Sequence, residues 1–173
     1  MEAIPIVKNI SVFSYEGTFR EAYFRYKFQG DYRLYQLFMN DIRESYLQHF
    51  FSYNDIVIVP SHEEAVQKRG YHHLSPFIEK LPAKKHELIK KVNNEHQREK
   101  SREERLLQND EFIFSGDSVP NKILLFDDIY TTGSSIMKCA ALLRSHGAKE
   151  ISSLTIGRTP RQLLSNYTND FKN

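Results

Sequence analysis

Apolar positions along this chain follow two spacings, and their alternation sets the expected architecture. Ile56-Val57-Ile58-Val59 and Ile123-Leu124-Leu125-Phe126 are continuous apolar runs, the pattern of strands covered on both faces. The first spans Asp55 to Pro60, where the proline ends it and a polar loop follows. The second opens at Lys122. Residues 4–15 alternate weakly around Val12 and Phe13 and predict a short strand. Glu150 to Ile156 predicts another, and Glu111 to Phe114 an edge strand before the turn Gly116-Asp117. Between these, apolar residues recur at helical spacing. Phe19, Tyr23 and Tyr26, with Phe24 and Phe28, predict a helix over 17–28, with Thr18 as cap and Gly30 as breaker. Leu34, Leu37, Phe38, Ile42, Tyr46 and Leu47 predict a second helix over 31–51. Residues 72–80 read as a helix closed by Pro82, and His86 to Val92 as a short strand. Ile136, Cys139, Ala140 and Leu143 predict a helix from Ser134 to His146, stopped by Gly147.

Strands alternating with helices predict an α/β fold with a mostly parallel central sheet flanked by helices. Ligands of such sheets bind beyond the carboxyl ends of the strands, so the ends at Pro60 and Asp127 should face one crevice. We expect one globular domain: a strand and helical, hood-like segment over 1–50, a core over 51–160 and a fraying tail over 161–173.

The chemistry concentrates after the central strand, in Asp127-Asp128-Ile129-Tyr130-Thr131-Thr132-Gly133-Ser134. The turn places Thr131, Thr132, Gly133, Ser134 and Ser135 at a helix N-terminus. Unpaired N–H groups and the macrodipole favour an anion there, and the hydroxyls add donors. Asp127 and Asp128 would repel a phosphate at contact, but one step away they can accept bonds from vicinal sugar hydroxyls, directly or through a hydrated cation. A sugar 5-phosphate satisfies both halves. Upstream, the loop at Ser61 can turn N–H groups toward an anion. Arg69 beside Gly70 suits bidentate phosphate contact, although a surface arginine at a turn fits the same residues. His72 and His73 diverge if helical, so they cannot share a metal and read as surface histidines.

The string Asp127–Ser134 resembles the 5-phosphoribosyl-1-pyrophosphate (PRPP) loop of type I phosphoribosyltransferases. Tyr26-Lys27-Phe28-Gln29-Gly30-Asp31, Val59-Pro60, Lys68-Arg69-Gly70-Tyr71, Gln97 and Ser101-Arg102-Glu103-Glu104-Arg105 fall in the order seen in the ComF (ComFC-like) family of competence-associated phosphoribosyltransferases. The resemblance covers about residues 15–160 and implies the type I phosphoribosyltransferase-like fold. It also implies a site. Asp127 and Asp128 hold the ribose, the 131–135 turn holds the 5-phosphate, and Ser61, Arg69, Gln97 and Arg105 meet pyrophosphate. Arg105 acts in catalysis from a flexible basic loop with Ser101, Arg102 secondary to it. Mg2+ enters with PRPP and waters, with Asp127 and Asp128 as its nearest protein groups and no all-protein cage. The sequence departs from the family where Arg69-Gly70-Tyr71 continues with His72-His73 rather than Asn-Gln, and where Glu63 and Glu64 follow Ser61. The implied role is DNA uptake in natural competence. The alternatives are a nucleobase phosphoribosyltransferase of purine or pyrimidine salvage, and a non-catalytic module that senses PRPP or binds DNA or a motor.

Composition narrows the setting. The one cysteine of the 173 residues, Cys139, lies on an apolar stripe, reads as core, and excludes an internal disulfide. Relatives commonly carry an N-terminal cysteine-rich zinc module; one cysteine cannot build it, and these residues begin near where it would end. No apolar run approaches the ~20 residues of a membrane span, and Glu2 with no basic stretch argues against a signal peptide, so a cytoplasmic protein is expected. The formal net charge is only +2. Between Lys80 and Asp110, however, nine basic residues face six acidic ones. Interleaved signs read first as a solvated face and second as a contact for single-stranded DNA. A ComFA-type DNA translocase is the protein partner the resemblance implies.

Overall fold

The computed structural model describes residues 6–61, 63–92 and 112–160, with backbone only for Glu63 and Glu64. Strand β1 (Asn9–Ser14) leads into α1 (Gly17–Phe28), a 3-10 turn (Tyr32–Leu34) and α2 (Tyr35–His49). Then come β2 (Asp55–Ile58), α3 (Glu63–Arg69), α4 (Ser75–Ile78), β3 (Lys84–His86) and β4 (Ile89–Lys91). After the undescribed stretch follow β5 (Phe112–Phe114), β6 (Lys122–Tyr130), α5 (Ser134–Ser145) and β7 (Glu150–Arg158).

Five strands form one sheet in the order β1-β7-β6-β2-β3, and each neighbouring pair is parallel. This is the expected α/β fold, with a parallel central sheet flanked by helices. Strands β4 and β5 pair separately as an antiparallel ribbon. From β2 the chain moves outward to β3, and from β6 it moves the other way to β7. The sheet therefore reverses its winding between β2 and β6, where a ligand crevice forms beyond the strand ends.

Burial follows the strand period of two. Leu124 and Phe126 of β6 pack with Tyr23 and Tyr26 of α1, Phe38, Ile42 and Tyr46 of α2, and Phe77 of α4. Ile123 and Leu125 face the other way, onto Ile136, Cys139, Ala140 and Leu143 of α5 and onto Phe112 of β5. Cys139 is buried, as its place on the stripe implies.

The local departures have physical causes. Strand β6 does not stop at Phe126; its pairing with β7 continues through Asp127↔Thr155, Ile129↔Gly157 and Tyr130↔Arg158. Both carboxylates are thus strand residues. The 86–92 stretch divides at Glu87-Leu88, with β3 joining the main sheet and β4 the ribbon. The polar residues after Pro60 form helix α3, and the helix expected over 72–80 is confined to Ser75–Ile78. Thr18 does not cap α1, whose N-cap is Glu16. Of the aromatic stripe in α1, Tyr23 and Tyr26 are buried, while Phe24 and Phe28 lie exposed.

Candidate functional site

Where β2 and β6 end, a cavity of about 270 Å³ is lined by Pro60 and Ser61, by Arg69 and His73, by Lys27 and Phe28, and by Asp127, Asp128 and Ser135. Strand geometry separates the two carboxylates. Asp128 shares the parity of Leu124 and Phe126 and reaches toward α1; Asp127 shares that of Ile123 and Leu125 and lies on the α5 side.

Asp128 is fully partnered. Its Oδ1 accepts the Ile129 N–H at 2.6 Å. Its Oδ2 forms an ion pair with the Lys27 ammonium and accepts from His73 Nε2 at 3.3 Å. Burial works against its charge, but the His73 hydrogen bond and the Lys27 charge outweigh burial and hold the carboxyl well below the usual carboxylate range. Asp127 accepts the Asp128 N–H at 2.8 Å, and among the described residues it has no ion pair. Burial, then the neighbouring Asp128 charge, push its carboxyl well above the usual range.

The histidines correct the sequence reading. His73 is not a surface residue: only 3% of its side chain is exposed, and it sits in the turn before α4. Its backbone carbonyl accepts the Tyr26 hydroxyl, and the Tyr71 hydroxyl in turn donates to the Tyr26 carbonyl at 3.1 Å. With Nε2–H donated to Asp128, His73 Nδ1 faces Arg69 Nη2 at 3.4 Å and Ser61 Oγ at 3.5 Å. Burial lowers the His73 pKa, so the ring is neutral at neutral pH. His72 does not diverge from it; the rings stack with centroids 5.3 Å apart. Burial, with His73 and Arg69 beside it, lowers the His72 pKa to about 4. The Nε of Arg69 is buried without an acceptor among the described residues, a donor poised for a ligand or water.

On the other side of Asp127 lies the turn into α5. A cavity of about 50 Å³ is lined by Asp127 and by Thr131 through Ser135. Gly133 is the N-cap of α5 with φ 78°, left-handed backbone that glycine adopts without strain. A side chain there would also collide with the Tyr130 ring. The Ser134 N–H bonds Thr132 Oγ1 at 3.3 Å. The first-turn N–H groups of a helix have no intrahelical acceptor and carry the positive end of its dipole.

The fold therefore gathers Asp127, Asp128, Ser61, Arg69 and Ser135 around one crevice. Thr131, Thr132, Gly133 and Ser134 line the adjoining cavity, which shares Asp127 and Ser135. Gln97, Ser101, Arg102 and Arg105 lie outside the described residues. Sequence reasoning missed two participants. Lys27 falls within the Tyr26–Asp31 motif, which assigns it no role, and His73 reads from sequence as a surface group. Sequence alone does not single out Lys27, because Arg25 and Lys27 both stand between aromatics in the last turn of α1.

No protein-family model matches the chain. Two curated relatives do. The chain is 32% identical over 153 residues to the competence protein ComFC of Streptococcus pneumoniae (strain ATCC BAA-255 / R6), a match spanning 88% of this chain and 69% of that protein. It is 29% identical over 161 residues to the competence protein ComFC of Bacillus subtilis (strain 168), spanning 91% of this chain and 67% of that protein. Among the described residues no helix is long and apolar enough to cross a membrane.

Proposed function

This chain belongs to the family of the competence protein ComFC, and from that premise we propose that it binds PRPP as a type I phosphoribosyltransferase-like protein acting in DNA uptake. One observation carries the reading: Asp127 borders both the cavity of the Thr131–Ser135 turn at the N-terminus of α5 and the crevice that it shares with Asp128 and the basic groups of Arg69, Lys27 and Lys91. A ligand that suits all three has a 5-phosphate, vicinal hydroxyls and a second anionic group, in that order.

In this reading the Thr131–Ser135 turn holds the 5-phosphate with backbone N–H groups and hydroxyls. Asp127 and Asp128 accept from the ribose hydroxyls. Ser61 and Arg69 meet the diphosphate, and the unpartnered Arg69 Nε gains an acceptor. Arg105, Gln97 and Ser101 complete that wall as the family resemblance implies. Asp127, a hard oxygen donor without an ion pair among the described residues, fits a hydrated Mg2+, which would neutralise charge on the ligand's phosphates. If the anomeric bond breaks, charge grows on departing pyrophosphate, and in this reading Arg69 supplies the counter-charge.

A second reading, transfer of the phosphoribosyl group to a nucleobase, draws on Phe28. Its ring is 60% exposed and lines the crevice, as a stacking surface for a planar acceptor would. Pyrophosphate release from PRPP across a panel of bases separates an enzyme from a binding module. The reading as a whole is tested by thermal unfolding. PRPP with Mg2+ at 100 times its Kd should add about 2.7 kcal/mol of stability, and that gain should vanish in Asp127→Asn/Asp128→Asn. No thermal shift at millimolar PRPP would count against the site.

A further inference from the structure

Lys27 has no role in the reading above, yet it lines the crevice and pairs with Asp128 there. We propose that Lys27 is a diphosphate-selecting residue, stored on Asp128 in the free protein and transferred to the diphosphate when the ligand arrives. The inference rests on the PRPP reading of the crevice.

Helix α1 explains the placement. Tyr26 points into the core, and its buried hydroxyl bonds the His73 carbonyl. Phe28 lies exposed at the crevice mouth. Lys27, between them in the last turn, reaches Asp128 near the end of β6. Its side chain is 24% exposed, so the ammonium is neither solvated freely nor sealed in the core.

The contacts of Asp128 make a transfer possible. Its Oδ2 is shared by Lys27 and His73, and its Oδ1 by the Ile129 N–H. If Lys27 departs, Asp128 keeps the other two donors and is not stranded in a half-buried site. A ribose hydroxyl can then take the vacated place on Oδ2, since a hydroxyl donates one bond where the ammonium did. The released ammonium stays in the cavity it shares with Ser61 and Arg69.

Charge gives the exchange its direction. In the free protein the crevice is faced by the basic groups Lys27, Arg69 and Lys91 and by the carboxyls of Asp127 and Asp128, with the His73 ring beside them. A sugar diphosphate adds several negative charges beside two carboxylates, and a mobile cation already in place offsets them. Ribose 5-phosphate brings its charge to the α5 turn and offers nothing on the other side. Lys27 then gains no contact by leaving Asp128. The residue should favour diphosphate-bearing ligands over their hydrolysed counterpart, without setting affinity for the sugar phosphate itself.

The test is a pair of dissociation constants, for PRPP and for ribose 5-phosphate with Mg2+, measured on the parent chain, Lys27→Met and Lys27→Arg. Lys27→Met should weaken PRPP about tenfold or more, the size of one charge-assisted contact, and leave ribose 5-phosphate within about threefold. Lys27→Arg should restore most of the PRPP preference. Lys27→Gln, uncharged but still able to bond Asp128, makes the same comparison should the methionine variant not fold. Equal weakening of both ligands would mean that Lys27 only props up Asp128, and would overturn the proposal. So would unchanged PRPP affinity in folded Lys27→Met. If the parent binds neither ligand, the reading of the crevice fails and this inference with it; if the parent prefers PRPP and Lys27→Met keeps that preference, only the role of Lys27 fails.

Discussion

At Asp128 the Lys27 ammonium and the His73 ring stabilise a charge that burial opposes, whereas at Asp127 burial and a like charge act together. Neighbouring aspartates therefore contribute to stability with opposite signs. For Asp128 the folded carboxyl titrates lower than the unfolded one. Its contribution is present above about pH 4, the unfolded value, and is lost as pH falls toward the folded one. For Asp127 the folded carboxyl titrates higher, so ionisation costs stability above its raised pKa and the cost disappears below about pH 4. Asp128→Asn should lose about 1–3 kcal/mol at neutral pH, because Lys27 is left near a neutral group. Asp127→Asn should gain about 1 kcal/mol there. The gain should shrink as pH falls. Urea unfolding across pH 4–8 checks both, and equal signs for the two variants would contradict the assigned environments. The sequence marked both aspartates as chemical groups but could not rank them. The residues that distinguish them lie 101 and 55 positions away. Gly133 was marked in the sequence by the close backbone approach expected of a phosphate-holding turn; what the fold shows there is φ 78° with the Tyr130 ring alongside. Gly133→Ala should destabilise by about 1–3 kcal/mol, and adding Tyr130→Ala should relieve the steric share but not the backbone strain. Thermal unfolding of the single and double variants separates the two shares.

Helix α1 links core and crevice, since Tyr26 and Lys27 are successive residues with opposite duties. The Tyr26 hydroxyl holds the turn that carries His73, and His73 holds Asp128. Tyr26→Phe should cost about 1 kcal/mol in stability. In the proposed site it should also weaken PRPP several-fold, although Tyr26 itself touches no ligand. Calorimetric Kd values for the two proteins check this; unchanged affinity would detach the turn from the site. Element types along the core were readable because continuous apolar runs and helical stripes are strong signals. Boundaries and short elements were not. Strand β6 gains its last four residues from pairing with β7, a partner that local composition does not reveal. Helix α3 covers seven residues with two apolar ones, too little stripe to register. The split between β3 and β4 depends on which sheet each strand joins.

Across the molecule, the placing of a crevice at the carboxyl ends of β2 and β6 followed from strand–helix alternation and a topological rule. The strand order itself needed the structure. Basic residues on β3, the edge strand beside β2, and on β4 of the antiparallel ribbon bear on the expected DNA contact. Lys84 and Lys85 on β3 and Lys90 on β4 are exposed, while Lys91 is half-buried with its ammonium 5.5 Å from the Phe112 ring centroid. Single-stranded DNA should bind weakly, only at low salt, and less so once Lys84, Lys85 and Lys90 become Ala. Fluorescence anisotropy with a labelled oligonucleotide reads this; no binding at low ionic strength, or binding unaffected by the three changes, would move any DNA role to a protein partner. The central claim is narrower: the crevice between β2 and β6 is a PRPP site. Isothermal titration of the chain with PRPP, with and without Mg2+, addresses it most directly. The account predicts one saturable site per chain, tighter with Mg2+, and lost in Asp127→Asn/Asp128→Asn. Absence of binding at millimolar PRPP, or equal binding by that folded double variant, would contradict it.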